Sequence, residues 1–588
     1  MVLGIVEDSA HRLFGERISA LRRNQMGSVM APRVPDKSGR ATTSVTCDGF
    51  ILEMDLADPT EAVACVRAIL PRYLKNAGKW RVKPLCPSSR DLDLSPPAGW
   101  RAIEPGEAFE TARQLVRAKH VVSAEPSFVV PGIEPSDPDL MLADEERRVA
   151  LPRSGSDGGL VNPDHDWSLK LTKVIQAWNV TAPGGRQWGD GIVVGHPDTG
   201  YTTHPEIWGT EAANRRVISG LGFDYIEGDH DALDVLDGSF PGHGTSTASV
   251  IMSDIGTASG GWGGMSGVAP RARLVPYRVS KSVIHFSMKN VTKAIALAAA
   301  QGHHVVSMSL GGPFYSEALR RTIRGALDEG LILLAAAGNV WPWVVYPAAY
   351  DEVIAVAACD HLGQMWRSSA TGSAVDVTAP GANVWVASAR TGNPPKYRVV
   401  PSSGTSFAVA HVAGVAALWL AHHDRQKLIG CFGRKKLATV FRNLLVTSGV
   451  DTPPDWDLGN WGAGIVNAFK LLTAPLPSAP VGAPKARRAA AAPWAHYFPD
   501  LSTDSIGAAL GEVLGVRPKA LAGLLEQFSQ EMAFHIATRP ALRHDLRDTV
   551  ARSREAAGGQ VQRAARRRSQ RDFLNAASPS FRRRVLGA

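Results

Sequence analysis

Three glycine-flanked segments carry the residue types best suited to chemistry: Gly195-His-Pro-Asp-Thr-Gly200, Gly242-His-Gly-Thr245 and Gly404-Thr-Ser-Phe407. They offer one carboxylate, one imidazole and one hydroxyl, about 45 and 160 residues apart. A serine hydroxyl is a poor nucleophile at neutral pH. It needs a base to take its proton, and that base needs an orienting partner. Ser406 is therefore the candidate nucleophile and His243 the base. Asp198 is the group that holds the imidazole tautomer and stabilises the imidazolium. A tetrahedral intermediate also needs donors for its oxyanion. Asn339, at the end of Ala335-Ala-Ala-Gly-Asn339, offers a side-chain N–H, and the backbone N–H of Ser406 offers a second.

These groups must be positioned by regular elements. Ile192–Gly195 reads as a strand, which puts Asp198 at the strand's C-terminal edge, where open α/β sheets place their sites. His243–Met252 reads as a helix. Thr405–Leu420 reads as a helix of small residues, with Ser406 at its N-terminus, where free N–H groups and the dipole favour developing negative charge. Further strands are expected at Leu274–Val279, Val305–Leu310, Leu331–Ala335 and Val353–Ala357, and further helices at Lys289–Gln301 and Ser316–Asp328. This alternation predicts an α/β fold with a mostly parallel, doubly wound sheet, and the short apolar runs imply strands buried on both faces.

Upstream, Ser44–Leu56, Lys79–Leu85, Trp100–Ile103 and His120–Val130 read as strands. Pro59–Leu70, with Thr60 as N-cap, and Gly106–Ala118 read as helices. The order β-α-β-β-α-β is that of a ferredoxin-like split unit. The resulting division is a polar segment 1–43, an α+β unit 44–131, a Pro/Gly-rich linker 132–164, the α/β domain 165–472, an Ala/Pro-rich linker 473–497 and a helical, Arg-rich region 498–588.

The α/β part resembles the subtilisin-like serine proteases (subtilases), in which the triad also runs Asp, His, Ser along the chain. Beyond the triad, Val268-Ala-Pro270, Ser309-Leu-Gly-Gly312, Tyr346-Pro-Ala-Ala-Tyr350, Thr378-Ala-Pro-Gly381 and above all Gly404-Thr-Ser-Phe-Ala-Val-Ala-His-Val-Ala-Gly414 are similar to that family's landmarks, in its order. The resemblance implies that Ser309, Leu310 and Gly311 pair with substrate backbone and form one wall of the pocket for the residue before the cut. Ala336 and Gly338 line the other wall. Small residues on both walls imply a roomy apolar pocket for Leu, Phe, Met or Tyr. It also implies that 44–131 is an inhibitory propeptide whose last strand, around Val121-Val-Ser-Ala-Glu-Pro-Ser-Phe128, lies against the active site. Self-cleavage is then expected between Pro131 and His165. The sequence departs from the family pattern at Pro197, Ser246 and Ala410, none of which is a reacting group.

The resemblance implies catalysis without a cofactor. The acidic stretch Asp224-Tyr-Ile-Glu-Gly-Asp-His-Asp231 is a candidate calcium loop, though it lacks a regular ligand spacing. The five cysteines form no CxxC pair, so neither a disulfide framework nor a zinc site is indicated. The chain as given opens without a secretory signal, and its longest apolar run belongs to the serine helix, so a cytoplasmic location is the expectation. The net charge of +9 concentrates at the end, where ten Arg stand against two acids from Ala551 onward. That tail could contact an acidic partner, but nucleic acid is not the expected one. The expected partners are a protein or peptide substrate, the chain's own N-terminal unit as inhibitor, and a protein bound at the amphipathic C-terminal helices (Ile506, Leu510, Val513, Leu514, Leu521, Leu524, Leu525 and Phe528). Two rival readings stand beside the protease: a subtilase-fold peptide binder without activity, and a protease whose specificity comes from that C-terminal module.

Overall fold

A computed structural model describes residues 45–86, 89–97, 100, 103–129, 161–208, 215–256, 264–285, 287–478, 493–498, 501–555 and 570–586. The polar segment 1–43, the expected self-cleavage span apart from residues 161–165, and positions 479–492 of the second linker lie outside the described residues.

The N-terminal unit runs β1 (Thr46–Met54), α1 (Pro59–Ile69), β2 (Arg81–Pro84), β3 (Asp91–Ser95), α2 (Pro105–Leu115) and β4 (Val121–Val129). Its antiparallel sheet has the order β2-β3-β1-β4. Both helices pack on the face that presents Phe50, Leu52, Leu92 and Leu94. The element order is the expected one, but the third strand is Asp-Leu-Asp-Leu-Ser rather than Trp100–Ile103. Asp disfavours strands. Here Asp93 meets Lys289 and Lys293, and Asp91 meets Arg321, all on the neighbouring domain. The N-cap of α1 is Asp58, whose carboxylate accepts from Thr60 N, in place of the expected Thr60.

The central domain is built on a nine-stranded sheet whose strands run, in spatial order, β14 (Val450–Asp451), β15 (Ile465–Val466), β11 (Val377–Pro380), β10 (Ile354–Cys359), β9 (Ile332–Ala336), β8 (Val305–Met308), β5 (Val193–Asp198), β7 (Arg273–Arg278) and β6 (Phe223–Asp224), parallel except at the β14–β15 edge, while β12 (Val384–Arg390) and β13 (Lys396–Ser402) pair separately. Its functional strands are β5, β7, β8, β9 and β10. Residues of alternate parity face opposite cores. Ile332, Leu334 and Ala336 join one cluster with α3 (His243–Met252) and the later serine helix. Leu333 and Ala335 join the other with α4 (Lys289–Ala300) and α5 (Glu317–Asp328). Strand β5 has β8 on one side and β7 on the other, so the strand order reverses there. This is the switch point where sheets of this kind open a crevice.

The serine helix, α6 (Thr405–His423), is buried over nearly its whole length on β8, β9 and β10. Among the described residues it is the one helix long and apolar enough to cross a membrane, and that apolarity is spent inside the protein. Beyond 493 the chain forms α7 (Thr503–Leu514), α8 (Pro518–Gln527), α9 (Ser529–Thr538), α10 (Pro540–Glu555) and α11 (Pro579–Leu586). Ile506, Leu510, Val513, Leu514, Leu521, Leu524 and Phe528 do not face solvent. They share one apolar cluster with the N-terminal unit and with Phe314, Trp341, Trp343 and Val345 of the central domain.

Candidate active site

Asp198 ends β5, and His243 opens α3 on the adjoining crevice. His243 Nδ1 lies 2.8 Å from Asp198 Oδ1, which also accepts from Thr199 N at 2.7 Å. Burial would raise the Asp198 carboxyl, but the His243 imidazole and its hydrogen bond outweigh that and hold it low. The glycines are needed for approach: a Cβ on Gly244 would stand 2.1 Å from Gly200 O, so the two loops meet backbone to backbone. Asp234, buried and absent from the sequence reading, fastens them together. Its Oδ2 accepts from Thr199 Oγ1 and Gly242 N, each at 2.8 Å, and its Oδ1 from Leu236 N. Nothing in the sequence singles it out from the other acids of the region.

Ser406 occupies the first turn of α6. Its Oγ donates to Ser309 O at 3.3 Å, and Ser309 Oγ donates to Ser406 O at 2.9 Å. The hydroxyl's hydrogen bond thus runs to Ser309 rather than to His243, whose ring stands 6.3 Å from that of the adjacent Phe407. Asn339 is fixed through its carbonyl oxygen, which accepts from Thr405 N at 2.9 Å and from Thr405 Oγ1 at 2.7 Å. That turns the amide nitrogen toward Gly404, 3.5 Å from where a Cβ would sit there. Carboxylate and imidazole are therefore paired by β5 and α3, hydroxyl and amide are held together by α6 and the β9 loop, and the His243–Phe407 ring contact joins the two groups.

Val345 stands against both expected substrate walls. Its methyl groups lie 2.5 Å and 3.0 Å from the Cβ positions that Gly311 and Gly338 lack. Leu310 and Ala336 are buried in the adjoining cores. The backbone of Gly311 is already paired within the chain: its N–H donates to Val283 O at 3.0 Å and its carbonyl accepts from His285 N at 2.8 Å.

The acidic loop has a cation of its own. Arg278, buried at the end of β7, reaches Asp224 at 2.7 Å and Glu227 at 4.0 Å. No cluster of three or more His, Cys, Asp or Glu suited to a metal occurs among the described residues. The five cysteines are free.

A subtilase family model matches residues 189–455. Among curated proteins, the chain is 33% identical over 266 residues to the thermophilic serine proteinase of Bacillus sp. (strain AK1), covering 45% of this chain and 59% of that one. It is 32% identical over 299 residues to thermitase of Thermoactinomyces vulgaris, covering 50% and 92%. The chain spans about three-fifths of the length of the first of these relatives and of a thermostable alkaline protease from Halalkalibacterium halodurans. In fold it is similar to fervidolysin from Fervidobacterium pennivorans, a keratinolytic enzyme related to subtilisin, with a TM-score of 0.51 at 23% identity, over 75% of this chain and 63% of that one.

Proposed function

The chain belongs to the subtilase family, and on that premise we propose that it is a serine endopeptidase made as a self-inhibited precursor. The single observation that supports the catalytic reading is the pairing of His243 with the buried Asp198 at 2.8 Å. In the reaction Ser406 Oγ leaves Ser309 O, attacks the scissile carbonyl and passes its proton to His243 Nε2. Asp198 stabilises the imidazolium so formed. Asn339 Nδ2 and the Ser406 N–H receive the oxyanion. The imidazolium then protonates the leaving amine, the acyl-enzyme is hydrolysed by the reverse sequence, and no cofactor enters either half. With Val345 between the walls, small side chains suit the pocket better than the large ones its glycines suggest.

The inhibitory role of the N-terminal unit is supported by how it is held. Glu125 of β4 reaches the N-terminus of α5, accepting from Ser316 Oγ at 2.5 Å and from Glu317 N at 2.8 Å, and Ser127 meets Ser287 at 2.8 Å. Substrate pairing at Gly311 also requires Val283–His285 to yield, which suits a resting state.

The test compares wild type with Ser406→Ala by mass spectrometry and by labelling with a fluorophosphonate. Wild type should be cut between Pro131 and His165, giving two fragment masses under denaturing conditions, and should be labelled at Ser406. The Ala variant should remain whole and unlabelled. Labelling that persists in His243→Ala at the wild-type rate would sink the triad assignment, and a wild type that stays intact would sink the precursor assignment alone.

A further inference from the structure

The Asp198 carboxylate has a second oxygen, with partners of its own. Oδ1 is taken by His243 and by Thr199 N. Among the described residues Oδ2 has one hydrogen-bond donor, Thr247 Oγ1, at 3.3 Å. Thr247 stands one helical turn after His243 on α3, so both side chains leave the same face. His196 stands two residues before Asp198 on β5, so those two also share a face. The four groups meet where α3 crosses β5, and His196 Nε2 lies 3.0 Å from Thr247 Oγ1 and 3.9 Å from Asp198 Oδ2. His196, Asp198 and Thr247 are all buried.

A threonine hydroxyl has one proton to give. It has four acceptors in reach: Asp198 Oδ2, the carbonyls of His243 and Gly244 at 3.2 Å and 3.3 Å, and His196 Nε2 if that nitrogen is bare. A bare Nε2 would draw the proton away and leave a buried carboxylate oxygen with no donor, which is the costly arrangement. With the proton on Nε2, His196 donates to Thr247 and the hydroxyl turns to the carboxylate, the strongest acceptor present. Burial pushes His196 down to about 4, so it stays a neutral single donor on this side across the pH range of catalysis.

We propose that His196 and Thr247 form a relay, Nε2–H to Oγ1 and O–H to Oδ2, that holds the triad carboxylate from the side opposite His243. Thr247 is a positioning residue that acts through Asp198, and His196 acts only through Thr247. The other titratable or charged groups around this point are Asp234, joined through Thr199, Arg278, turned toward Asp224, and His285, near enough to feel the Asp198 charge. None of them donates to Oδ2.

The inference rests on the triad reading, and the experiment separates the two. The rate and final extent of Ser406 modification by a fluorophosphonate are followed at one neutral pH on the purified full-length protein after it has been left to process itself. The final extent counts correctly folded sites, and the rate measures the nucleophile. Thr247→Val should reach the wild-type extent at a rate lower by about tenfold. Thr247→Ser should recover most of the rate. His196→Val should be slow, and the double variant Thr247→Val/His196→Val no slower than Thr247→Val alone, because a relay is broken once. Thr247→Val at the wild-type rate would overturn the relay, and additive losses in the double variant would overturn the role given to His196. If wild type itself is not modified at Ser406, the triad reading falls and takes the relay with it.

Discussion

Each reacting group is held by a partner whose loss should leave a specific mark. Asn339 has its carbonyl oxygen tied to Thr405 and its amide nitrogen turned to the cleft. An oxyanion donor matters chiefly in the transition state, so Asn339→Ala should lower kcat by about 10²- to 10³-fold, the range measured for the asparagine donor in subtilisin, with KM nearly unchanged. Steady-state kinetics on a peptide substrate checks this, and a loss confined to KM would place Asn339 outside the oxyanion site. Val345 makes a different prediction. It stands between Gly311 and Gly338, so Val345→Ala should shift the ratio of kcat/KM for a large residue over a small one upward by about tenfold. An unchanged ratio would mean that the pocket lies elsewhere. The pairing of Asp198 with His243 and the placement of Asn339 beside the serine helix were legible because glycine-rich turns flank residues of fixed chemical type. Val345 was not, because its reach depends on how a loop of ordinary apolar residues folds back between two walls.

The α/β elements follow from pattern, and their ends follow from contacts. Strands β5, β8, β9 and β10 and helices α3, α4, α5 and α6 were readable as apolar runs and helical spacing, with ends shifted by a few residues. Strand β3 was unreadable, since its two Asp make sense only beside the Lys and Arg of α4 and α5. The seam between these elements carries a pH dependence. Burial raises Glu125 from its ordinary 4.5 to about 7, against the pull of Ser316, Glu317 N and Arg321 and with Asp91 adding to the rise. A docked pKa above the free value means that the docked state favours the protonated form. Glu125's contribution to docking is therefore complete below about 4.5 and lost as pH rises through about 7. Asp93 is held down at about 2 by Lys289 and Lys293 despite its burial, and stays ionised throughout this window. In a Ser406→Ala background, cleavage of the N-terminal unit by an added protease should be faster at about pH 8 than at about pH 5. Glu125→Gln should flatten that difference. Equal pH dependence in the two proteins would show that Glu125 does not govern the seam.

At the scale of the molecule, the C-terminal helices pack on α2 and β4 of the N-terminal unit, so three segments far apart in sequence share one core. Phe109 and Phe128 of the N-terminal unit pack on Phe534 of α9, and Phe128 and Phe534 both touch Phe314 of the central domain. Glu531, fully buried on α9, pairs with Arg113 of α2 at 2.9 Å and accepts from Ser578 N and Oγ, while Glu110 of α2 accepts from Ser580 N and Oγ. The segment 493–498 adds a brace to the cleft itself: His496 reaches Val344 O, and Tyr497 donates to Pro313 O at 2.7 Å, so one short stretch touches the loops that carry both substrate walls. The amphipathic faces that would suit an outside partner are thus used within the chain. It follows that the N-terminal unit is retained by more than its covalent linker, and that opening a cut beyond Val129 does not free it. Truncating one member of a buried charge pair strands the other, at a cost of about 3–5 kcal/mol. Glu531→Ala, introduced into the intact Ser406→Ala protein, should therefore speed amide hydrogen exchange across α2 and β4 by at least about tenfold. Exchange in β9, within the central sheet, should not change. Unaltered exchange in α2 and β4 would show that the central domain alone holds the N-terminal unit. Uniform acceleration that includes β9 would show general unfolding rather than release of a clamp.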